Sequence, residues 1–346
     1  MSGPKGRISG YDLARGMAVL LMVVLNFKGV LAKTDAGPVW LSGLLELLDR
    51  RAAAALVMIS GAGVTLFFRQ RAHRRTAGTA LVNRSLFLCV CGLALTRIWS
   101  GDILHFYGVF IFLGILLAGR SGVFLAGFGL LAWSVSWLMI LPVFEVLEAG
   151  FDHAGIDFLV DLFFTGYFPI FPWAAYFAAG MGLGRLDLRQ AKLRQMLWIL
   201  GVVLATVAVG SRLFGSLGWN EINLALSTPM SVVSGLGTGL CLIMAGADIA
   251  LKTRGRLVRL VEAAGRTSLS FYIFHILVIH GLVRFGEKGL PWVTGAGICL
   301  FFLYAAWAHR WTRRYGRGPL EAVMRRFTPV RPRDKVKTDI PGPVLS

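Results

Sequence analysis

The chain has 346 residues and a formal charge of +18, yet only 16% of its residues are charged while 56% are hydrophobic and the mean hydropathy is +0.67. Soluble domains carry about a quarter charged residues, so this composition excludes a soluble fold. It does not describe a nucleic-acid binder either. The basic residues sit between apolar runs and in the C-terminal tail, with no interleaved aromatics on which bases could stack.

The apolar runs are long and continuous instead of alternating, and the 42 glycines suit close helix packing in a lipid bilayer. The fold class that follows is all-α, a polytopic membrane helical bundle. About ten transmembrane helices are predicted, near residues 13–31, 52–68, 85–99, 103–118, 122–141, 167–184, 196–213, 227–250, 267–283 and 291–309, each close to the length that crosses about 30 Å of hydrocarbon. The first, preceded by Lys5 and Arg7, lacks the small-residue cleavage site of a signal peptide and reads as a retained helix. With the N-terminus in the cytoplasm and loops assigned alternately, 28 of the 36 Lys and Arg residues fall inside. The 142–166 segment, with Glu145, Glu148, Asp152, Asp157 and Asp161 and no Lys or Arg, falls outside. Both termini are therefore expected to be cytoplasmic, in a cytoplasmic (inner) membrane, with basic clusters at anionic head groups. Residues 1–327 read as one transmembrane domain and 328–346, Pro-rich and charged, as a disordered cytoplasmic tail. Cys89, Cys91, Cys241 and Cys299 form no disulfide framework and read as small core residues.

Ionisable groups inside apolar runs are expensive, so each needs a reason. In RIWSGDILHFYGVF, which opens at Arg97, Asp102 and His105 are three apart and share a helical face. A carboxylate beside an imidazole suits general acid–base chemistry; an N-cap aspartate followed by an interfacial histidine fits the same spacing. His275 lies mid-span, on a stripe with Ser268 and Tyr272, as either an interhelical hydrogen-bonding group or a functional one. His280 and Arg284 follow toward the outer end. The two histidines are five apart, about 140° around a helix, and so cannot share a metal as i,i+4 ligands do. The run from Tyr167 to Arg185 enters the membrane through Pro169, Pro172 and Trp173, and the prolines loosen its first turn. Gly180-x-Gly182-x-Gly184 reads as helix packing, His73 and His309 as solvated groups beside inner basic clusters, and His153 as a surface residue. There is no HExxH, Walker loop or Gly-x-Ser-x-Gly elbow, and no metal is expected.

Tyr11-Asp12-Leu13-Ala14-Arg15-Gly16-Met17-Ala18 with Leu25-Asn26-Phe27 resembles the first helix of the YeiB-like membrane proteins. Gly101-Asp102-Ile103-Leu104-His105, Phe168 to Trp173 with Gly180 to Gly184, Gly265-Arg266-Thr267-Ser268-Leu269 and Gly318-Pro319-Leu320-Glu321 resemble that family's later motifs in the same order. The family looks related to transmembrane acyltransferases, heparan-alpha-glucosaminide N-acetyltransferase and the acyltransferases of bacterial envelope sugars among them. The resemblance implies acyl-CoA, in particular acetyl-CoA, as cytoplasmic donor. It implies transfer to a hydroxyl or amine of a small-molecule or glycan acceptor at the outer face. The heparan enzyme's catalytic histidine in the first outer loop has no counterpart between Val30 and Arg51, and Asn26 stands where the envelope-sugar enzymes carry a histidine.

The residues taken as catalytic are therefore His105 with Asp102, and His275 in reserve. Arg7, Arg15, Arg84 and Arg266, with Asp12 beside Arg15, are expected to hold the CoA nucleotide. Arg97 or Arg284 is expected to stabilise the oxyanion, and Asn26, Trp173, Tyr272 and His280 to meet the acceptor. The alternatives are a secondary transporter or exporter using His275 and Asp102, or a membrane scaffold; the oligomeric state is open, a homo-oligomer included.

Overall fold

The computed structural model describes residues 9–33, 37–70, 74–139, 153–216, 220–253 and 255–327, without the side chains at 9, 74–75, 208–209 and 211–228. Arg7, His73, residues 142–152 of the acidic 142–166 segment and the 328–346 tail lie outside the described residues. Among those described the chain is helical throughout. The order is α1 (Ser9–Leu31), α2 (Val39–Leu48), α3 (Arg51–Arg69), α4 (Arg74–Leu95), α5 (Leu104–Leu117), α6 (Gly122–Leu138) and α7 (Ala154–Val160), which runs into a π turn (Asp161–Thr165). There follow α8 (Ile170–Leu183), α9 (Ala191–Ser216), α10 (Asn220–Lys252), α11 (Arg256–Arg266), α12 (Ser268–Val283), α13 (Leu290–Tyr315) and α14 (Pro319–Arg326). The only β pairing among the described residues is a single bridge of Ala32 with Lys288, which ties the end of α1 to the α12–α13 loop.

Each of the ten predicted spans coincides with a helix, but their lengths differ from the expectation. Five stretches are long and apolar enough to cross a membrane unaided: Gly10–Leu31, Val39–Arg69, Thr76–Leu95, Pro229–Lys252 and Leu290–Tyr315. Two bent pairs, Ala154–Thr165 with Ile170–Leu183 (49°) and Arg256–Arg266 with Ser268–Val283 (84°), would each make one more. α5 has 14 residues and α6 has 17, so α5 reaches only about 21 Å, short of the hydrocarbon thickness. The predicted loosening at the prolines of 167–184 is present: Phe171 leaves helical geometry (φ −99°, ψ 124°) inside α8.

The exterior is what a lipid-facing bundle requires. Leu86, Val90 and Leu93 on α4, and Met196, Ile199 and Val203 on α9, form exposed apolar stripes at helical spacing. A soluble protein of this size does not present such surfaces on several helices at once. In lipid these side chains lose nothing, and the helices are held instead by close packing and hydrogen bonds. α1 runs through the middle, touching α3, α10, α11, α12 and α13.

One close crossing is that of α3 and α8. A Cβ on Gly180 would overlap the Met58 carbonyl, and one on Gly61 would overlap that of Phe177. Both positions therefore require glycine, whereas Gly182 on the same helix has open space around it. Gly180→Ala is expected to destabilise the detergent-solubilised protein by about 1–3 kcal/mol through overpacking, read as a lower thermal midpoint. Gly182→Ala should leave the midpoint unchanged or raise it. Equal effects of the two would show that the crossing is not the tight one described.

Candidate active site

The polar centre of the bundle forms where α4 and α5 come together. Gly92 of α4 faces the backbone of His105 and the carboxylate of Asp102, leaving no room for a side chain. That approach seals Asp102 from solvent entirely, at 0% exposure. An isolated buried carboxylate is costly, and here both oxygens are satisfied. Oδ2 accepts from the backbone N–H of Leu104 (3.0 Å) and His105 (3.3 Å) and from His105 Nδ1 (2.9 Å). Oδ1 accepts from the Tyr272 hydroxyl of α12 at 3.1 Å. The two readings of this spacing thus hold together: Asp102 closes the first turn of α5 and pairs with His105. Because a carboxylate only accepts, the ring carries its proton on Nδ1 and leaves Nε2 bare.

Tyr272 Oη in turn accepts from the Ile103 N–H at 3.1 Å. This side chain separates two cavities stacked along α1. The first, of about 150 Å³, opens among Arg15, Val19, Met22, Arg84, Arg266 and Glu321. The second, of about 390 Å³, lies among Met22, Asn26, Lys28, Arg50, Trp99 and Tyr167. Met22, Ile103 and Tyr272 line both. From Arg15 to Met22 the rise on α1 is about 10 Å, and from Met22 to Gly29 about the same, so the three shared residues form a wall near the middle of the helix.

Of the residues expected at the acyl donor, Arg15, Arg84 and Arg266 converge on the first cavity. Asp12 is buried and holds Arg15 at 3.2 Å, outside the cavity lining. On the other side Asn26 and Tyr272 line the second cavity. Trp173 is buried between Phe168 and Tyr176 and lines neither. Arg97, His280 and Arg284 are exposed and line neither, with Arg284 lying over the Phe285 ring. The described structure therefore brings no arginine from this set to the Asp102 centre. His105 also lines neither cavity; its ring stacks on Phe106 behind Asp102.

His275 is fully buried. Its Nδ1 donates to the Phe271 carbonyl at 3.2 Å, so Nε2 accepts from Asn26 Nδ2 at 3.0 Å. The interhelical hydrogen bond is thus present, and its partner is the one residue of the pair that faces the second cavity. Both histidines act one residue behind the cavity wall.

Two groups escaped the reading of the sequence. Glu321, quoted there only as part of a motif, accepts from the N–H groups of Leu269 (2.9 Å) and Ser270 (3.1 Å) and from Ser270 Oγ. It fastens α14 to the start of α12, two residues before Tyr272, and joins the three arginines at the first cavity. Asp248 on α10 pairs with Arg194 at 2.6 Å and Trp198 at 2.8 Å, a structural clasp between α9 and α10. Glu321 was detectable as a carboxylate among arginines; its helix-capping role needed the fold.

Two families match the chain. That described as "Heparan-alpha-glucosaminide N-acetyltransferase, catalytic" matches residues 7–214, and that described as "Protein of unknown function (DUF418)" matches residues 182–331. No curated protein matches. The first match covers more than half of the chain and contains Asp102 and His105, and the second begins at the C-terminal end of α8 and takes in Tyr272. The chain is a multi-pass membrane protein of the heparan-alpha-glucosaminide N-acetyltransferase catalytic-domain family, and a YeiB-like member of it.

Proposed function

We propose that the protein moves an acyl group, in the first place acetyl, from acyl-CoA across the wall formed by Met22, Ile103 and Tyr272 to an acceptor hydroxyl or amine on the other side. The observation that carries this reading is the pair of cavities meeting at Tyr272 with the Asp102–His105 pair directly behind it. The arginine-lined cavity suits the phosphates of the acyl donor, because guanidinium forks bind phosphate oxygens in pairs. On the charge count it opens to the cytoplasm, where acyl-CoA is made, and the cavity beside Asn26 opens to the outer face, which supports an inner-membrane location.

The chemistry uses groups already in contact. The acceptor oxygen or nitrogen attacks the thioester carbonyl carbon, the carbon–sulfur bond breaks, and CoA leaves as thiolate. As the nucleophile attacks, its proton passes to Tyr272 Oη while the tyrosine proton moves to Asp102 Oδ1; the proton then returns to the thiolate. His105 Nδ1–H holds the other carboxylate oxygen and steadies its charge through the cycle. Reading the sequence alone gives His105 the proton. The geometry favours Asp102, because Tyr272 connects it to both cavities and His105 faces neither. Asn26, its amide oriented by His275, presents its remaining polar groups to the acceptor.

The first test is binding of radiolabelled acetyl-CoA to purified protein with excess CoA as competitor. Saturable binding is expected, with about tenfold weaker affinity in Arg84→Gln or Arg266→Gln and unchanged affinity in Asp102→Asn. Absence of saturable binding by the wild-type protein would move the assignment to a transporter.

The second is thiol release from acetyl-CoA with glucosamine as acceptor. Asp102→Asn is expected to lower kcat about a hundred- to ten-thousand-fold, with Tyr272→Phe next and His105→Ala smallest. If His275→Ala abolishes turnover while Asp102→Asn does not, the chemistry belongs to the His275–Asn26 pair.

A further inference from the structure

Three arginines clear of the acyl-donor cavity have no part in the proposed acyl transfer. The C-terminal ends of α3, α5 and α8 emerge on one face and enclose a cavity of about 290 Å³ lined by Thr65, Arg69, Gly119, Arg120, Met181 and Arg185, among others. It shares no lining residue with the acyl-donor cavity. The side chains are held there: Arg69 Nη1 donates to the carbonyls of Gly184 (3.3 Å) and Arg185 (3.0 Å), and Arg185 Nη2 donates to the Arg120 carbonyl (2.6 Å). Arg120 itself lies over the Phe124 ring at 5.4 Å.

No carboxylate lines the cavity, and among the described residues no ion pair engages any of the three. Topology places positive residues on this face, and carbonyls at the helix ends hold Arg69 and Arg185, but neither uses up their hydrogen-bond donors. A guanidinium carries five N–H donors in a planar fork. Most of those on Arg69 and Arg185, and all of those on Arg120, remain unused among the described residues. Their level, at the ends of three apolar helices, is that of lipid phosphates.

We infer that this cavity is a phosphate site, taking the phosphodiester of an anionic phospholipid or free phosphate. It is independent of the acyl-transfer reading and stands or falls separately. An anion here would neutralise three charges that the protein leaves facing one another. It would also join the end of α5, whose first turn holds Asp102, to the ends of α3 and α8, which cross closely.

The test uses purified, delipidated protein, with native mass spectrometry against phosphatidylglycerol and phosphatidylcholine, and thermal unfolding against inorganic phosphate. Saturable retention of phosphatidylglycerol over phosphatidylcholine assigns a lipid head group; a saturable rise in midpoint with inorganic phosphate assigns the free ion. In either case Arg120→Gln is expected to weaken binding about tenfold. Arg189→Gln, an exposed basic position outside the cavity, should leave it unchanged. Among the described residues the Arg120 guanidinium makes no hydrogen bond and rests only on the Phe124 ring, so its loss should not unfold the protein. Arg69→Lys, which keeps the charge and loses the fork, is the second variant and should weaken binding too. Equal retention of phosphatidylcholine, an equal loss in Arg189→Gln, or no saturable response to phosphatidylglycerol or phosphate overturns the inference.

Discussion

A carboxylate sealed inside an apolar bundle must find hydrogen-bond donors for both oxygens or it will not stay ionised. Asp102 meets that requirement with two backbone N–H groups, an imidazole and a phenol. Much of the surrounding structure follows from it. α4 gives up a side chain at Gly92 so that the turn before α5 can sit against it. α12 brings Tyr272 from more than 160 residues away in sequence, and the start of α12 is in turn fixed by Glu321 on α14. These contacts hold the buried carboxylate and leave the Tyr272 hydroxyl beside two cavities.

The arrangement also separates two jobs that one open channel would confuse. Three arginines and Glu321 gather at one cavity, while Asn26, Lys28, Arg50 and the aromatics Trp99 and Tyr167 line the second. On the proposed reading, the wall of Met22, Ile103 and Tyr272 shared by the two cavities would let a chemical group pass without a path for solutes. This is the physical difference between a transferase and a transporter in such a bundle: what crosses is a bond, not a molecule. A transporter would need the wall itself to move, and the Tyr272–Asp102–His105 chain ties α12 to the start of α5.

Much of this was legible in the residues. Hydropathy marks ten of the helices, because an apolar run in lipid has few alternatives to a helix, but it misses α2, α7, α11 and α14, which lie outside the predicted runs. It does not fix where a span is short: α5 is limited to Leu104–Leu117 by the polar Arg97–Asp102 stretch before it and by Gly119, in the left-handed region at φ 88°, after it. The Asp102–His105 pairing was visible from an i,i+3 spacing, which is local. The contacts of Tyr272 with Asp102 and of Asn26 with His275 were not, since they join helices far apart in sequence and depend on which faces meet. For the same reason Arg97, His280 and Arg284, plausible by depth, turn out to face away. Arg15, Arg84 and Arg266 were grouped by chemistry alone, and the fold gathers them.

The most direct measurement is an experimental structure of the protein with a non-hydrolysable acetyl-CoA analogue. The account predicts the nucleotide phosphates among Arg15, Arg84 and Arg266, the pantetheine arm along α1, and the acyl carbonyl within about 3–3.5 Å of the Tyr272 hydroxyl. An analogue bound with its acyl end away from Tyr272, or seated instead among Arg69, Arg120 and Arg185, would contradict it.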